Sequence, residues 1–411
     1  MSENSALTTK NFEVLGPSIS IIKGKKPSVI YQNPVNDESH PYILIENFGR
    51  SYRQYTDDSS CKLAYKDDVL IVWDGERAGL ASHGHSGYIG STLAAIRIAD
   101  RSLVSKYLLY IIEKERAQLR GSSEGTGVPH LSRWAVENIN YFKPQKPEQK
   151  KIATILSSVD DVIEKTRAQI DKLKDLKTGM MQELLTQGIG HTEFKDSQVG
   201  KIPKTWKLCK LESVCDLQVG YAFKSSWFLE RGIRLLRGEN VGFGYPIWGQ
   251  TRYLSEAQSI DFANYHLVEG DVIIGMDRTF TKSGTKISRL RCNDVPALLV
   301  QRVGKYIPKS IDIDFLWQLL RSPRYLEALQ NQEKGMDIPH LSKTEILDVL
   351  VLVPPLLEQQ KIATMLSKLD ELIEASNQKL DRSLGLKKAL MQDLLTGKVR
   401  VKATPTETAA A

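Results

Sequence analysis

The chain is short of several things, and each shortage narrows what it does. Its 411 residues include four cysteines, Cys61, Cys209, Cys215 and Cys292. None stands in a Cys-x-x-Cys pair, and no histidine pair lies near Cys209 and Cys215. Neither a zinc knuckle nor a disulfide scaffold is indicated, and the thiols read as reduced and mostly packed, in a cytoplasmic protein. No apolar run reaches the ~18 residues of a membrane span, and the polar opening MSENSALTTK does not resemble a secretory leader.

The usual marks of DNA-acting chemistry are missing as well. There is no Gly-x4-Gly-Lys-Ser/Thr phosphate loop, since GSSEGTG (Gly121–Gly127) has no lysine. No Asn/Asp-Pro-Pro-Tyr tetrapeptide of an amino-methyltransferase occurs; VPPL (Val353–Leu356) lacks the polar first residue and the aromatic last. His83 and His85, in SHGH, would need a third ligand to hold a metal, and the sequence suggests none; surface or DNA-contacting histidines are the other reading. The acidic pairs Asp67-Asp68 and Asp160-Asp161 fit solvated faces. No catalytic residue, metal site or cofactor of its own is assigned to this chain.

Charge is modest. The net charge is +7 with a pI of about 9.0, and it is spread thinly: 18 basic against 16 acidic residues over 1–147, and 21 against 17 over 200–357. Such a balance permits nucleic acid as a partner without requiring it. Length allows two or three domains, each with its own core.

What the chain does have is a duplication. EQKKIATILSSVDDVIEK, from Glu148, returns as EQQKIATMLSKLDELIEA, from Glu358, at an offset of 210 residues. At the same offset MQELLT (Met181–Thr186) returns as MQDLLT (Met391–Thr396), and GVPHLS (Gly127–Ser132) as DIPHLS (Asp337–Ser342). The period is far longer than the roughly 20–50 residues of a solenoid repeat, so a domain plus an element has been used twice. In the first copy Ile152, Leu156, Val159, Ile163, Thr166, Ile170 and Leu173 alternate steps of four and three. Ile362, Leu366, Leu369, Ile373, Ser376 and Leu380 do the same in the second. That spacing is a coiled-coil seam. Pro147 suits a first helical turn, Pro354-Pro355 precede the second helix, and Gly188, Gly190 and Gly397 suit the ends. Each helix has one apolar stripe, and the natural partner is the other copy; two separate core helices are the alternative.

The expected organisation is a first globular domain (1–147), a central helix (148–190), a linker and second globular domain (191–357), a C-terminal helix (358–397) and a flexible tail (398–411). Both globular domains read as mixed α/β (α+β), with short strands such as DDVLIVW and GDVIIGM, LAAIRI and ALLVQRV. Each then has an amphipathic helix, SKYLLYIIEKERAQL or DFLWQLLRSPRYLEALQ, and PHLS. The domains share a frame more than a sequence. IENFG (Ile45–Gly49) echoes GENVG (Gly238–Gly242), and Asp68-Val69 with Asp74 echoes Asp271-Val272 with Asp277. Between these anchors the loops differ, as two readers of different targets would.

Two variable domains alternating with two similar long helices resemble the specificity subunit of a Type I restriction-modification system. TEFKDSQVGKIPKTWKLCKL (Thr192–Leu211) is similar to that family's inter-domain segment, and GDVII, DIPHLS and EQQKIATMLSKLDELIE are similar to its second half. The opening NFEVLGPSISIIKGKKP departs from the family's Pro-x-x-Trp entry. The resemblance implies two target recognition domains, each reading half of a bipartite double-stranded DNA site, and antiparallel helices that fix the separation. It also implies two modification subunits carrying S-adenosylmethionine for adenine methylation, and restriction subunits supplying ATP- and magnesium-dependent translocation and cleavage. This chain would then be a non-catalytic, pseudo-two-fold repeat.

Base and phosphate contacts belong on the divergent loops. In the first domain the candidates are Lys25, Lys26, Arg50, Arg53, Arg77, His83 and His85. In the second they are Lys224, Arg234, Arg237, Arg278, Lys282 and Lys286. Arg77 and Arg278 stand out because each follows the repeated Asp-Val strand. Tyr52, Tyr55, Phe223 and Phe280 suit stacking or core packing. A fused restriction-modification enzyme and a coiled-coil scaffold that does not bind DNA remain as alternatives.

Overall fold

The computed structural model describes residues 12–121, 129–282, 284–332 and 340–402. The chain forms two compact units, residues 1–168 with 378–411, and residues 169–377.

In the first unit, four antiparallel strands lie in the order Ile19–Lys23, Leu93–Ile98, Val69–Val72, Ala81–His83. A second sheet runs Tyr55–Thr56, His40–Ile43, Gly87–Ile89, Leu63–Ala64, its central pair parallel. The second unit repeats both sheets. Cys215–Val219, Val303–Pro308, Val272–Gly275 and Ile287–Arg289 form one, all antiparallel. Arg252–Leu254, Ile233–Leu236, Ala297–Leu299 and His266–Leu267 form the other, with the same parallel central pair. Continuous apolar runs explain the inner strands: all four residues of Val69–Val72 and of Val272–Gly275 are buried. By strand order LAAIRI corresponds to Val303–Pro308 and not to ALLVQ, whose counterpart is Gly87–Ile89.

A helix, Ser105–Gly121, packs on the first unit's sheet. Its counterpart in the second is broken into Ile313–Leu320 and Pro323–Gln332. Pro323 is the cause, because the residue before a proline is driven out of the helical region. Each domain closes where its first strand meets its last: Phe12–Val14 pairs with Asn140–Phe142, and Lys207–Lys210 with Leu350–Val353.

Two 39-residue helices come after these closures, the central helix Lys146–Leu184 and the C-terminal helix Leu356–Leu394. Both run through both units. In the first unit Ile152, Ala153 and Leu156 share a core with Met391, Leu394 and Leu395. In the second, Met181, Leu184 and Leu185 share one with Ile362, Ala363 and Leu366. The beginning of one helix therefore lies along the end of the other, so the pairing is antiparallel in each unit. The expected seam is the buried or half-buried face: Val159, Leu173, Ile373 and Leu380 are half-buried and the rest are buried, including Thr166 and Ser376. Each hydroxyl donates to the carbonyl four residues back, Val162 or Leu372, at 2.7 Å, which satisfies it within its own helix.

The seam also carries charge that the apolar pattern does not show. Lys387 reaches Asp160 at 2.7 Å in the first unit, and Lys177 reaches Asp370 at 2.5 Å in the second. These are the same two positions of the repeat, exchanged between helices.

One carboxylate near the start of each helix ties down the segment beyond the end of the other helix. Glu358 accepts from the Ile189 amide at 3.0 Å, from His191 Nε2 at 2.8 Å and from the buried Trp206 indole at 2.9 Å. Glu148 takes the Arg400 guanidinium in a fork at 2.9 and 2.7 Å, and accepts the Val401 amide at 3.1 Å. Arg400 also stacks over Phe142. The first domain lacks a tryptophan entry, and the residues after the C-terminal helix occupy its carboxylate instead. Gly188 explains the tightness of the turn: it has a φ of 71°, and a Cβ there would fall 2.8 Å from the Trp206 ring.

Candidate nucleic-acid interface

The loops are held by a shared device. Asn47 Oδ1 accepts from the Leu44 amide at 2.8 Å, and its Nδ2 donates to the Ser51 carbonyl at 3.0 Å. In the second domain Asn240 does the same with the Arg237 amide at 3.2 Å and the Ile247 carbonyl at 3.0 Å. The echo of IENFG in GENVG is this buried asparagine. What it presents differs. The first loop presents Arg50 and Arg53, both exposed, on a groove of about 670 Å³ that they share with Glu46, Asn47 and Gln54. The second presents Phe243, Tyr245 and Ile247, all exposed.

The remaining candidates of the first domain scatter. Lys25 and Lys26 are exposed, and Lys25 donates to Ser60 at 3.1 Å. Arg77 is exposed in the turn after Val69–Val72. His83 is half-buried against the Ser105 hydroxyl at 3.0 Å. His85 is buried and does not face the surface. One ring nitrogen meets Tyr52 at 3.1 Å, the other meets Ser82 at 2.7 Å, and the ring stacks on Phe48. Burial first, then a neighbouring charge (Lys106 for His83, His83 for His85), pushes both histidines below the usual imidazole value. In the free protein His85 packs the loop, because both of its polar edges are satisfied internally. Among the described residues no three His, Cys, Asp or Glu side chains gather as a metal site would need.

The second domain's candidates are more ordered. Tyr221, Phe223, Phe262 and Tyr265 form a ring cluster with centroid spacings of 4.7–5.5 Å. Lys224, Arg234 and Arg237 each lie over an aromatic face, of Trp227, Trp248 and Phe228 respectively. Stacking fixes those long side chains in advance, which lowers the entropy cost of a further contact. Arg234 also donates to the Asn293 carbonyl at 2.8 Å, and Arg237 pairs with Glu239. Burial, then Arg252, holds Arg237 below the usual guanidinium value. Lys282 is exposed beside the small ribbon Phe280–Thr281 and Gly284–Thr285, and Lys286 points back to the Asp277 carbonyl at 3.5 Å. Of the aromatic candidates, Phe223 is buried in the core, while Tyr52, Tyr55 and Phe280 are half-buried.

Arg278 is exposed and carries a φ of 47°. The corresponding place after Asp74 is Gly75, with a φ of 106°. The second domain thus puts an arginine where the first uses the residue suited to a left-handed turn, at a backbone cost of about 1–2 kcal/mol. Sequence reasoning missed Arg302, also left-handed with a φ of 64°. Nothing in a single sequence marks such a backbone state in a non-glycine residue.

Comparison with known proteins bears on this arrangement. The model of the Type I restriction modification DNA specificity domain matches twice, over residues 19–175 and 203–382. The MjaVIII specificity subunit of a Type I restriction enzyme from Methanocaldococcus jannaschii is 35% identical over 395 residues, covering 94% of this chain and 92% of that one. A putative MjaX specificity subunit from the same organism is 26% identical, covering 88% of each. The crystal structure of a Type I restriction-modification S subunit from M. genitalium shares the fold, with a TM-score of 0.63 over 96% of this chain and 98% of that one at 16% identity. Two copies of one domain model, the near-full-length relative and the doubled sheet order agree: the chain belongs to the Type I restriction-modification DNA specificity family.

Proposed function

We propose that this chain is the DNA-recognition subunit of a Type I restriction-modification complex, each globular domain reading one half of a bipartite duplex site. The observation that carries this is one scaffold bearing two different surfaces. The strand order and the asparagine-held loop are the same in both domains, but one loop offers Arg50 and Arg53 and the other Phe243, Tyr245 and Ile247. A reader of two half-sites needs a common frame and divergent tips.

In this reading the exposed candidates Lys25, Lys26, Arg50, Arg53, Arg77, Lys224, Arg278 and Lys282 meet DNA. The ring-stacked Arg234 and Arg237, with Lys286, support the second surface. His83 and His85 act through the loop that they pack. The paired helices space the half-sites and dock two modification subunits, which bind S-adenosylmethionine and methylate adenine. Restriction subunits bring ATP and magnesium, and the assembly works in the cytoplasm. The chain supplies the address and not the chemistry. Its thin charge implies weak, poorly discriminating DNA binding until modification subunits complete the clamp.

The test is to sequence modified adenines in a host expressing this chain with its modification subunits. A two-part motif with a fixed unspecified gap is expected, changed in only one part when the first domain is exchanged. A single uninterrupted motif, or methylation that does not depend on this chain, contradicts the proposal.

A further inference from the structure

Asp74 and His130 lie far apart in the sequence, as do Asp277 and His340. The fold brings each pair together in the same way. His130 Nδ1 is 2.6 Å from Asp74 Oδ1, and His340 Nδ1 is 2.6 Å from Asp277 Oδ1. Each aspartate comes after a fully buried inner strand of its domain, and each histidine belongs to a PHLS copy. The contact is reinforced by an isolated backbone bridge in both domains. The Leu131 amide donates to the Trp73 carbonyl at 2.9 Å, and the Leu341 amide to the Met276 carbonyl at 2.8 Å.

A cation completes each pair, and here the domains differ. Lys23 sits 3.1 Å from Asp74 Oδ2, and Arg302 sits 2.7 Å from Asp277 Oδ2. Lys23 ends an edge strand, whereas Arg302 comes from a turn between strands. Residue type and position have changed while the charge has stayed. With the imidazole protonated, each trio carries a net positive charge. A carboxylate on Nδ1 fixes the ring and leaves Nε2 for a second partner. His130 is 56% and His340 43% exposed.

We propose that these two Asp–His pairs are twin phosphate anchors, one for each half-site, that hold the DNA backbone without reading its bases. The inference rests on the DNA-recognition reading. Base readers must differ between the two domains, because the half-sites differ. The sugar-phosphate backbone is the same at both, so a group kept the same while the loops around it diverge fits the backbone. The anchors also stand at the foot of the turns that carry Arg77 and Arg278, where a backbone contact would set the register of a base contact. The protonated ring donates from Nδ1 to the carboxylate and from Nε2 to a phosphate oxygen.

The experiment uses the full chain assembled with its modification subunits and a duplex carrying the mapped site. Affinity is measured over a KCl series for the wild type, His130→Gln, His340→Gln, the double variant, and the lysine variants His130→Lys and His340→Lys. Each loss of one phosphate contact should flatten the log-affinity against log-salt slope by about 0.9 and weaken binding about eightfold at ~0.1 M salt. The double variant should lose about twice that slope, the lysine variants should restore it, and the methylated motif should be unchanged throughout. An unchanged slope overturns the proposal. So does an altered motif, which would make the histidines base readers. Loss of the modification subunits at constant slope would make the pairs a partner surface instead. A wild-type complex without salt-dependent duplex binding defeats the DNA reading itself, an outcome distinct from variants that merely match the wild type.

Discussion

Removing either member of the buried pair Lys177–Asp370 should have unequal effects. The Lys177 side chain is 9% exposed and that of Asp370 31%. The second oxygen of Asp370 is shared with Gln318 at 3.0 Å and Arg321 at 3.2 Å. Burial, then the charge of Arg321, pushes Lys177 below the usual lysine value, and only Asp370 works the other way. Asp370→Asn therefore strands an ammonium in the seam beside a guanidinium, at a cost of about 3–5 kcal/mol. Lys177→Met leaves Asp370 with Arg321 and Gln318 and fills the seam with an apolar chain of similar length. It should cost less than about 1 kcal/mol, or stabilise. Urea unfolding of both variants measures the difference. The pH dependence gives a second reading. A lysine whose native pKa is depressed binds fewer protons folded than unfolded, so stability rises with pH between the two values and is lost as pH falls through the native one. Loss of Asp370 widens that interval downward. The deficit of Asp370→Asn should therefore shrink as pH is raised from neutral toward about 10, whereas that of Lys177→Met should grow over the same range, because the variant lacks the wild type's own rise. Equal costs, or a pH-independent deficit in Asp370→Asn, would refute this reasoning. The first unit supplies a contrast: Lys387 is held by both Asp160 and Glu113, at 2.7 and 2.6 Å, so Asp160→Asn should cost less than Asp370→Asn.

Three other outcomes are expected. Arg278→Gly should leave stability within about 1 kcal/mol, because relief of left-handed strain offsets the added freedom of the unfolded chain. Duplex affinity of the assembled complex should fall by about 1–3 kcal/mol, and unchanged binding in a titration would remove Arg278 from the interface. Four residues inserted after Ala168 and four after Gln378, which keep antiparallel positions matched, add about 6 Å of helix. The unspecified gap in the methylated motif should lengthen by about one or two base pairs, and an unchanged gap would show that the helices do not set it. Arg400→Ala removes the fork on Glu148 and the stack on Phe142, and should destabilise the first unit by about 1–3 kcal/mol in thermal denaturation, a loss that no tail without a structural role would show.

The repeat and its seam were legible because periodicity is a property of nearby residues. Steps of three and four fix a buried face whatever it meets, and even Thr166 and Ser376 fell on it correctly. The charged part of the seam was not legible. Lys177 and Lys387 fall on the continued three-and-four spacing, but a lysine there names no partner, and each has its cross-helix carboxylate on the other copy of the helix, 193 and 227 positions away. The packing of His85 was not legible for a related reason: a histidine between Gly84 and Ser86 looks exposed until Ser82 and Tyr52 close on both of its nitrogens. The sequence displayed Asp74 with Asp277, and PHLS with PHLS, as separate echoes. Only the fold shows that each aspartate meets its histidine. The paired anchors of the strand frame were visible, but which strand corresponds to which was not, since LAAIRI and ALLVQ are alike in composition and differ in topology.

The carboxylate ties at Glu148 and Glu358 bear on how such a chain changes over generations. Both belong to the repeated stretch, and each fastens the segment just beyond the other copy of that stretch, so the joints of the molecule are encoded by the parts that resemble one another. Homologous recombination finds its crossovers in repeated stretches. An exchange there would deliver a foreign 12–142 or 207–353 with its closing strands intact and its carboxylate fastening already supplied by the recipient gene. A population could acquire a new address by shuffling, without first passing through a misassembled intermediate.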